Sequence, residues 1–249
     1  MTKVNRLPVL VTGGAGYIGS HAVLALRDAG WPVTVIDNLS TGFRFALPDG
    51  VPFYEGDIAD AQLLARIFAE QGTGAIMHFA GSIVVPESVT DPLKYYLNNT
   101  VRTRALIAAA VEAGVPHFIF SSTAATYGMP TVAAVTEDTP QQPINPYGWS
   151  KLMSERMLAD VSAAHPMNHC ALRYFAGGAD RRASPVDDDE LRLWPGFFGS
   201  RGSRRGRSRH QSHDRAAHRA APIGRFRYAH FRSVVDQGDT ALAAAPCRS

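Results

Sequence analysis

Val9 to His21 reads VLVTGGAGYIGSH: a short apolar run, a turn with Gly13, Gly16 and Gly19 three residues apart, then the opening of a helical pattern. Each glycine has its own use in such a strand, turn and helix. The first permits the tight bend, the second lets backbone N–H groups approach a pyrophosphate, and the third lets helix and strand pack closely. The anion then rests against the positive end of the helix dipole. The strand before and the helix after are what make the spacing informative.

Working outward, a second strand-like run, PVTVID, ends in Asp37. There a carboxylate accepts from both ribose hydroxyls of a dinucleotide and repels a 2′-phosphate, and no Arg or Lys adjoins it to offset that repulsion. This favours NAD over NADP; a turn-capping Asp in DNLSTG is the plainer reading. Asp57 closes a third run in EGDI and either bonds an adenine amino group or caps the helix that DIADAQLL enters.

Up to residue 175 the chain alternates β-branched runs (8–13, 32–37, 52–57, 75–80, 117–122, 168–175) with helical stretches (17–30, 60–72, 91–114, 147–164). Such alternation implies an α/β fold, a doubly wound parallel sheet of the Rossmann type with crossover helices. Asp91 with Pro92 and Asn145 with Pro146 read as N-caps followed by first-turn prolines, and Gly30 and Gly114 as helix stops. Residues 1–175 are expected to form the dinucleotide-binding domain.

The charge changes sign along the chain. Residues 1–180 carry 11 Lys and Arg against 15 Asp and Glu, near −4; residues 181–249 carry 14 Arg against 7 acids, near +7. After residue 175 the hydrophobic period dissolves into an acidic cluster and an Arg/Ser/Gly/His-rich run. A nucleic-acid-binding arm fits poorly without aromatic interleaving. The expectation is a poorly ordered tail over 176–249 in place of a substrate region, its composition compatible with a reading-frame change, and no nucleic-acid partner. Cys170 and Cys247 match neither a disulfide framework nor a metal spacing, so no metal is expected. No apolar run approaches the roughly 20 residues of a bilayer helix and no signal-peptide layout opens the chain, so the expectation is a cytoplasmic protein with no membrane partner.

The motifs TGGAGYIG, IDNLSTG, GDI, HFAG, FSSTAATYG and YGWSK occur in this order over about residues 7–175. Together they resemble the extended short-chain dehydrogenase/reductases, and most closely the UDP-glucose 4-epimerases. The resemblance implies bound NAD, a UDP-sugar substrate, C4 epimerisation and, as in many members, a homodimer through helices near 92–113 and 147–165. It makes Tyr147 and Lys151 the Tyr-x-x-x-Lys pair, four apart on one helix face. Tyr147 would take the 4-hydroxyl proton, its phenolate favoured by the neighbouring ammonium. Lys151 would also bond the nicotinamide ribose, and Thr123 would hold the reacting hydroxyl. Further implied cofactor contacts are Tyr17 and Ile18 after the glycines, Asn38, Ser40, Thr41 and Gly42 around the ribose, Ile58 beside the adenine, and Phe79, Ala80 and Gly81 along the dinucleotide. Asn98, Ser121 and Phe175 would lie toward the nicotinamide. For Phe79 and Phe175 core packing is an equal reading.

Two departures stand out. Ala176 occupies the place where these epimerases have an Asn that holds the substrate diphosphate, and Ile83 the place of a Lys in some relatives. STAATYG also lacks the Thr-Asp-Glu of the sugar dehydratases, which leaves elimination of water without an acid or base.

Overall fold

The computed structural model describes residues 6–132 and 135–174. Phe175, Ala176 and the expected tail therefore lie outside the described residues. Six parallel strands form one sheet: β1 (Val9–Thr12), β2 (Val33–Asp37), β3 (Phe53–Glu55), β4 (Ala75–His78), β5 (His117–Thr123) and β6 (Asn168–Tyr174), in spatial order β3-β2-β1-β4-β5-β6. The helices are α1 (Tyr17–Asp28), α2 (Ala61–Gln71), α3 (Val85–Thr90), α4 (Pro92–Tyr95), α5 (Arg102–Glu112) and α6 (Pro146–Ala164). The strand order reverses between β1 and β4, so a crevice opens at the carboxyl ends there. Val9 to Thr12 pair with Val33 to Ile36 on one side and with Ala75 to His78 on the other. That register brings Gly13, Asp37 and Phe79 to one rim.

Side-chain alternation sends each strand into two cores. Val9, Val11, Val35, Met77 and Ile119 pack with Val23 and Leu26 of α1. Leu10, Ile36, Ile76, Phe118 and Phe120 pack with Leu64 and Ile67 of α2, Leu106 of α5 and Leu158 of α6. With both faces covered, a strand needs apolar residues at successive positions, which is why these runs are nearly continuous in sequence. Each such side chain taken from water contributes about 2 kcal/mol.

The helix ends follow the expected signals. The Asn145 side chain accepts from the Gly148 N–H at 2.8 Å and Asp91 from the Lys94 N–H at 3.2 Å, each with a proline in the first turn. Gly30 and Gly114 take φ of +78° and +68°, which ends the helices before them. The capping reading of Asp57 is corrected: the N-cap of α2 is Asp60, whose carboxylate accepts from the Gln62 and Leu63 N–H groups.

A second correction concerns the stretch expected as one helix over 91–114. It is α4, then a π-helical turn over Tyr96–Val101, then α5. The wide turn is anchored from outside, since the Asn99 carbonyl accepts from Ser154 Oγ at 2.7 Å and Thr100 Oγ1 donates to the Ser150 carbonyl at 3.1 Å. Helix α3 has six residues, too few to show a hydrophobic period.

Candidate active site

At the rim above β1 the glycine turn is built from backbone. Gly13 has φ +67°, and a Cβ on it would lie 2.5 Å from the Ala80 N. A Cβ on Gly19 would lie 2.2 Å from the Gly13 O. Both glycines are thus required by packing within the protein. Gly16 differs: a Cβ there would meet just the Gly13 O, at 3.2 Å, so packing alone does not demand a glycine. What the bare Cα leaves clear is the approach to the first turn of α1, where Tyr17 and Ile18 are exposed. An anion seated there meets helix N–H groups and the dipole, so the cradle fits a pyrophosphate.

The Asp37 carboxylate, 7% exposed, accepts from the Ala15 N–H at 2.9 Å and the Leu39 N–H at 2.8 Å. It is fixed by the turn it faces. Asn38 Oδ1 accepts from the Ser40 N–H at 3.1 Å, and the loop through Thr41 and Gly42 folds back so that the Phe43 N–H donates to the Ala15 carbonyl at 2.9 Å. Gly42 fits against Ala15, where a Cβ would stand 2.8 Å from its carbonyl carbon. Asp57 accepts from the Ala59 N–H at 2.9 Å and pairs with Arg102 at 3.0 Å. The Ile58 side chain is buried in the core; Phe79 and Ala80 likewise pack against the two cores.

The other half of the rim is built from side chains. Tyr147 opens α6 with Tyr95 edge-on at 6.3 Å between ring centroids, and both rings are buried. Lys151, 3% exposed, donates to the Ser121 carbonyl at 3.1 Å and lies 5.0 Å from the Phe120 ring centroid. Gly81 borders it, because a Cβ there would stand 3.4 Å from Lys151 Nζ and 2.8 Å from Asn99 Oδ1. Thr123 ends β5, its hydroxyl accepting from the Ala125 N–H at 3.1 Å. That leaves its own proton to donate. Asn98 Nδ2 donates to Ser82 Oγ at 2.9 Å, and Asn98 Oδ1 accepts from Arg102. Ser121 and Gly81 thus adjoin Lys151 and Thr123 adjoins Tyr147, whereas Asn98 is tied to Ser82 and Arg102.

The electrostatics correct one expectation. Burial pushes the Tyr147 phenol up, and hydrogen bonding with Thr123 pulls it partly back. Burial also pushes the Lys151 ammonium down to about 8, opposed by the Glu155 carboxylate. A phenol acidified by its ammonium neighbour is therefore not what these groups display by themselves; burial raises the one and lowers the other.

Residues 9–189 match the model of the NAD dependent epimerase/dehydratase family. The chain belongs to this family. It is 57% identical over 173 residues to the UDP-glucose 4-epimerase of Azospirillum brasilense, covering 69% of this chain and 50% of that protein. It is 46% identical over 176 residues to UDP-arabinose 4-epimerase 1 of Arabidopsis thaliana, covering 67% and 42%. Among solved structures, the UDP-glucose 4-epimerase of Brucella ovis in complex with NAD superposes with a TM-score of 0.67 at 42% identity, over 78% of this chain and 56% of that one. The chain spans about half the length of the curated relatives it matches.

Within this NAD dependent family fold, sequence reasoning missed the buried polar residues that hold the side-chain half together. Asn99 is 1% exposed; it accepts from the Ser82 N–H at 2.7 Å and donates to the Ser82 carbonyl at 2.9 Å and to Ser150 Oγ at 3.1 Å. His78 is 1% exposed and bridges Thr12 at 2.6 Å and Thr103 at 2.8 Å; burial lowers it to about 3, keeping it neutral. A visible signal existed for the serines alone, since Ser150 and Ser154 fall one helical turn apart on α6.

Proposed function

We propose that this chain is the cofactor-binding and proton-transferring half of an NAD-dependent nucleotide-sugar 4-epimerase interconverting UDP-glucose and UDP-galactose. The observation that carries the reading is the convergence of Thr123, Tyr147 and Lys151 on the rim that the glycine turn and Asp37 share. Residues 1–175 are the NAD-binding domain, with the pyrophosphate on Gly13, Gly16 and Gly19, the adenosine ribose on Asp37, and the nicotinamide end beside Gly81, Asn98, Ser121 and Lys151. NAD, when bound, supplies the hydride acceptor and donor for C4 of the sugar. Thr123 holds the 4-hydroxyl, and Tyr147 Oη takes its proton and later returns it. Because burial raises the phenol, that transfer depends on positive charge beside it, which Lys151 provides while protonated, below about pH 8. Asp37 repels a 2′-phosphate, so NAD is preferred over NADP.

Among the described residues no helix is long and apolar enough to cross a membrane, and we place the enzyme in the cytoplasm. A homodimer through α4–α5 and α6 is supported by the exposed Leu93, Leu97, Val101, Trp149 and Met153 and by a groove of about 520 Å³ lined by Ile107, Val111, Met157 and Val161. Its mass in solution tests this. A pentose substrate is the second reading, favoured by the identity to the plant UDP-arabinose 4-epimerase. Purified chain is assayed for retained NAD and for conversion of UDP-galactose and UDP-arabinose. Hexose conversion supports the first reading and pentose conversion alone the second. Retained NAD without either conversion reduces the chain to a cofactor-binding half.

A further inference from the structure

Glu155 lies on α6 one turn beyond Lys151 and is 7% exposed. Its carboxylate takes Arg173 Nε at 3.2 and 3.1 Å and Arg173 Nη2 at 2.7 Å. It also accepts from Ser122 Oγ and, at 3.2 Å, from Gln141 Nε2. Arg173 in turn donates to Tyr127 Oη at 2.7 Å and lies 5.1 Å from that ring's centroid. Ser122 stands between Ser121, whose carbonyl receives Lys151, and Thr123; Arg173 is paired with Ser122 across β5 and β6. One carboxylate thus ties the helix bearing Tyr147 and Lys151 to the strand end bearing Ser121 and Thr123.

We propose that Glu155 is a positioning residue for the Tyr147–Lys151 pair: clamped by Arg173 and Ser122, it holds α6 against the ends of β5 and β6 and supplies the counter-charge for the Lys151 ammonium. A buried ammonium without a nearby anion gives up its proton readily, and the opposing influence on Lys151 comes from Glu155. The titratable and charged groups around Lys151 are Glu155 on its own helix, with Tyr147 one turn earlier on that helix, His78 on β4 and, through Glu155, Arg173 on β6. The pair's catalytic meaning rests on the function proposed above, but the charge relation is measurable without turnover.

The sequence contains three lysines, Lys3, Lys94 and Lys151, so lysine labelled with ¹³C at Cε gives three NMR signals to titrate; Lys94→Arg assigns one of them. In the intact chain Lys151 is expected to lose its proton near pH 8. Glu155→Gln removes the anion and leaves Arg173 uncompensated, so the Lys151 midpoint falls by about one pH unit; Arg173→Met frees the carboxylate and the midpoint rises by about as much. Opposite shifts are not what loss of a merely structural tie produces. Glu155→Asp restores part of the shift. No shift in either variant, or shifts of the same sign, overturns the proposal, and if Glu155→Gln does not fold the Arg173→Met titration decides by its sign. In active protein Glu155→Gln lowers kcat about tenfold with NAD retained. Should the intact chain show no turnover at all, the functional reading fails while the titration still stands or falls alone.

Discussion

The two sides of the rim do related jobs with opposite materials. Above β1 and β2 the cradle is backbone: glycines, N–H groups and a single carboxylate, Asp37, held by the turn itself. Beside β5 and β6 it is side chain: Tyr147, Lys151, Asn99, Ser150, Ser154 and Glu155 are all buried. A backbone cradle fails when a side chain is added, because no room exists for it. A side-chain cradle fails when a charge or hydrogen bond is removed, because its partners are left buried and unmatched. Substitutions that add volume on the first side and subtract polarity on the second should therefore break different things.

The largest effect is expected at Gly19. A methyl there meets the Gly13 carbonyl at 2.2 Å, so Gly19→Ala costs about 3 kcal/mol or more in stability and abolishes NAD binding; thermal unfolding and NAD titration read both. Next is the acid limb at His78. Its folded pKa, about 3, lies below its ordinary value of 6.5, so the unfolded chain binds the extra proton between those values. Stability held above pH 6.5 is lost as pH falls, by about 2 kcal/mol at about pH 5. His78→Asn removes that pH-dependent part, seen as the difference between the two stability curves. If both curves bend alike, the histidine is not the source.

Gly16 sharpens the contrast with Gly19. A Cβ there meets one atom, the Gly13 O at 3.2 Å against 2.2 Å at Gly19, so Gly16→Ala costs about 1 kcal/mol or less in stability while weakening NAD about tenfold. Equal losses of stability at Gly16 and Gly19 would erase the distinction between packing glycines and a ligand-facing one. The smallest effect belongs to Asp57. Its pair with Arg102 is about a third exposed, so Asp57→Asn costs about 0.5 kcal/mol. A large loss would give it a structural role it does not display.

The same division explains what could be read in the sequence. Glycines at fixed spacing, prolines after Asn145 and Asp91, and near-continuous apolar strands are local signals. They place the parallel sheet, α1, α2, α6 and the backbone cradle. The side-chain half was legible just where a spacing was local, as for Tyr147 and Lys151. Asn99, His78 and Glu155 carried no such mark, because each is defined by partners 14 to 66 residues away. The π-turn was hidden for the same reason: its ties to Ser150 and Ser154 are tertiary. Electrostatics were misjudged because attraction between a phenol and an ammonium is apparent from spacing, whereas the burial that opposes it is apparent in three dimensions alone.

The most direct test of the account replaces Tyr147 by Phe and reads two quantities on the same preparation, NAD retention and UDP-galactose conversion. The ring stays in its edge-on contact with Tyr95, so NAD should be held as in the parent chain while conversion falls by about 10² to 10⁴-fold. Undiminished conversion by a variant that holds its NAD would contradict the assignment of proton transfer to this hydroxyl.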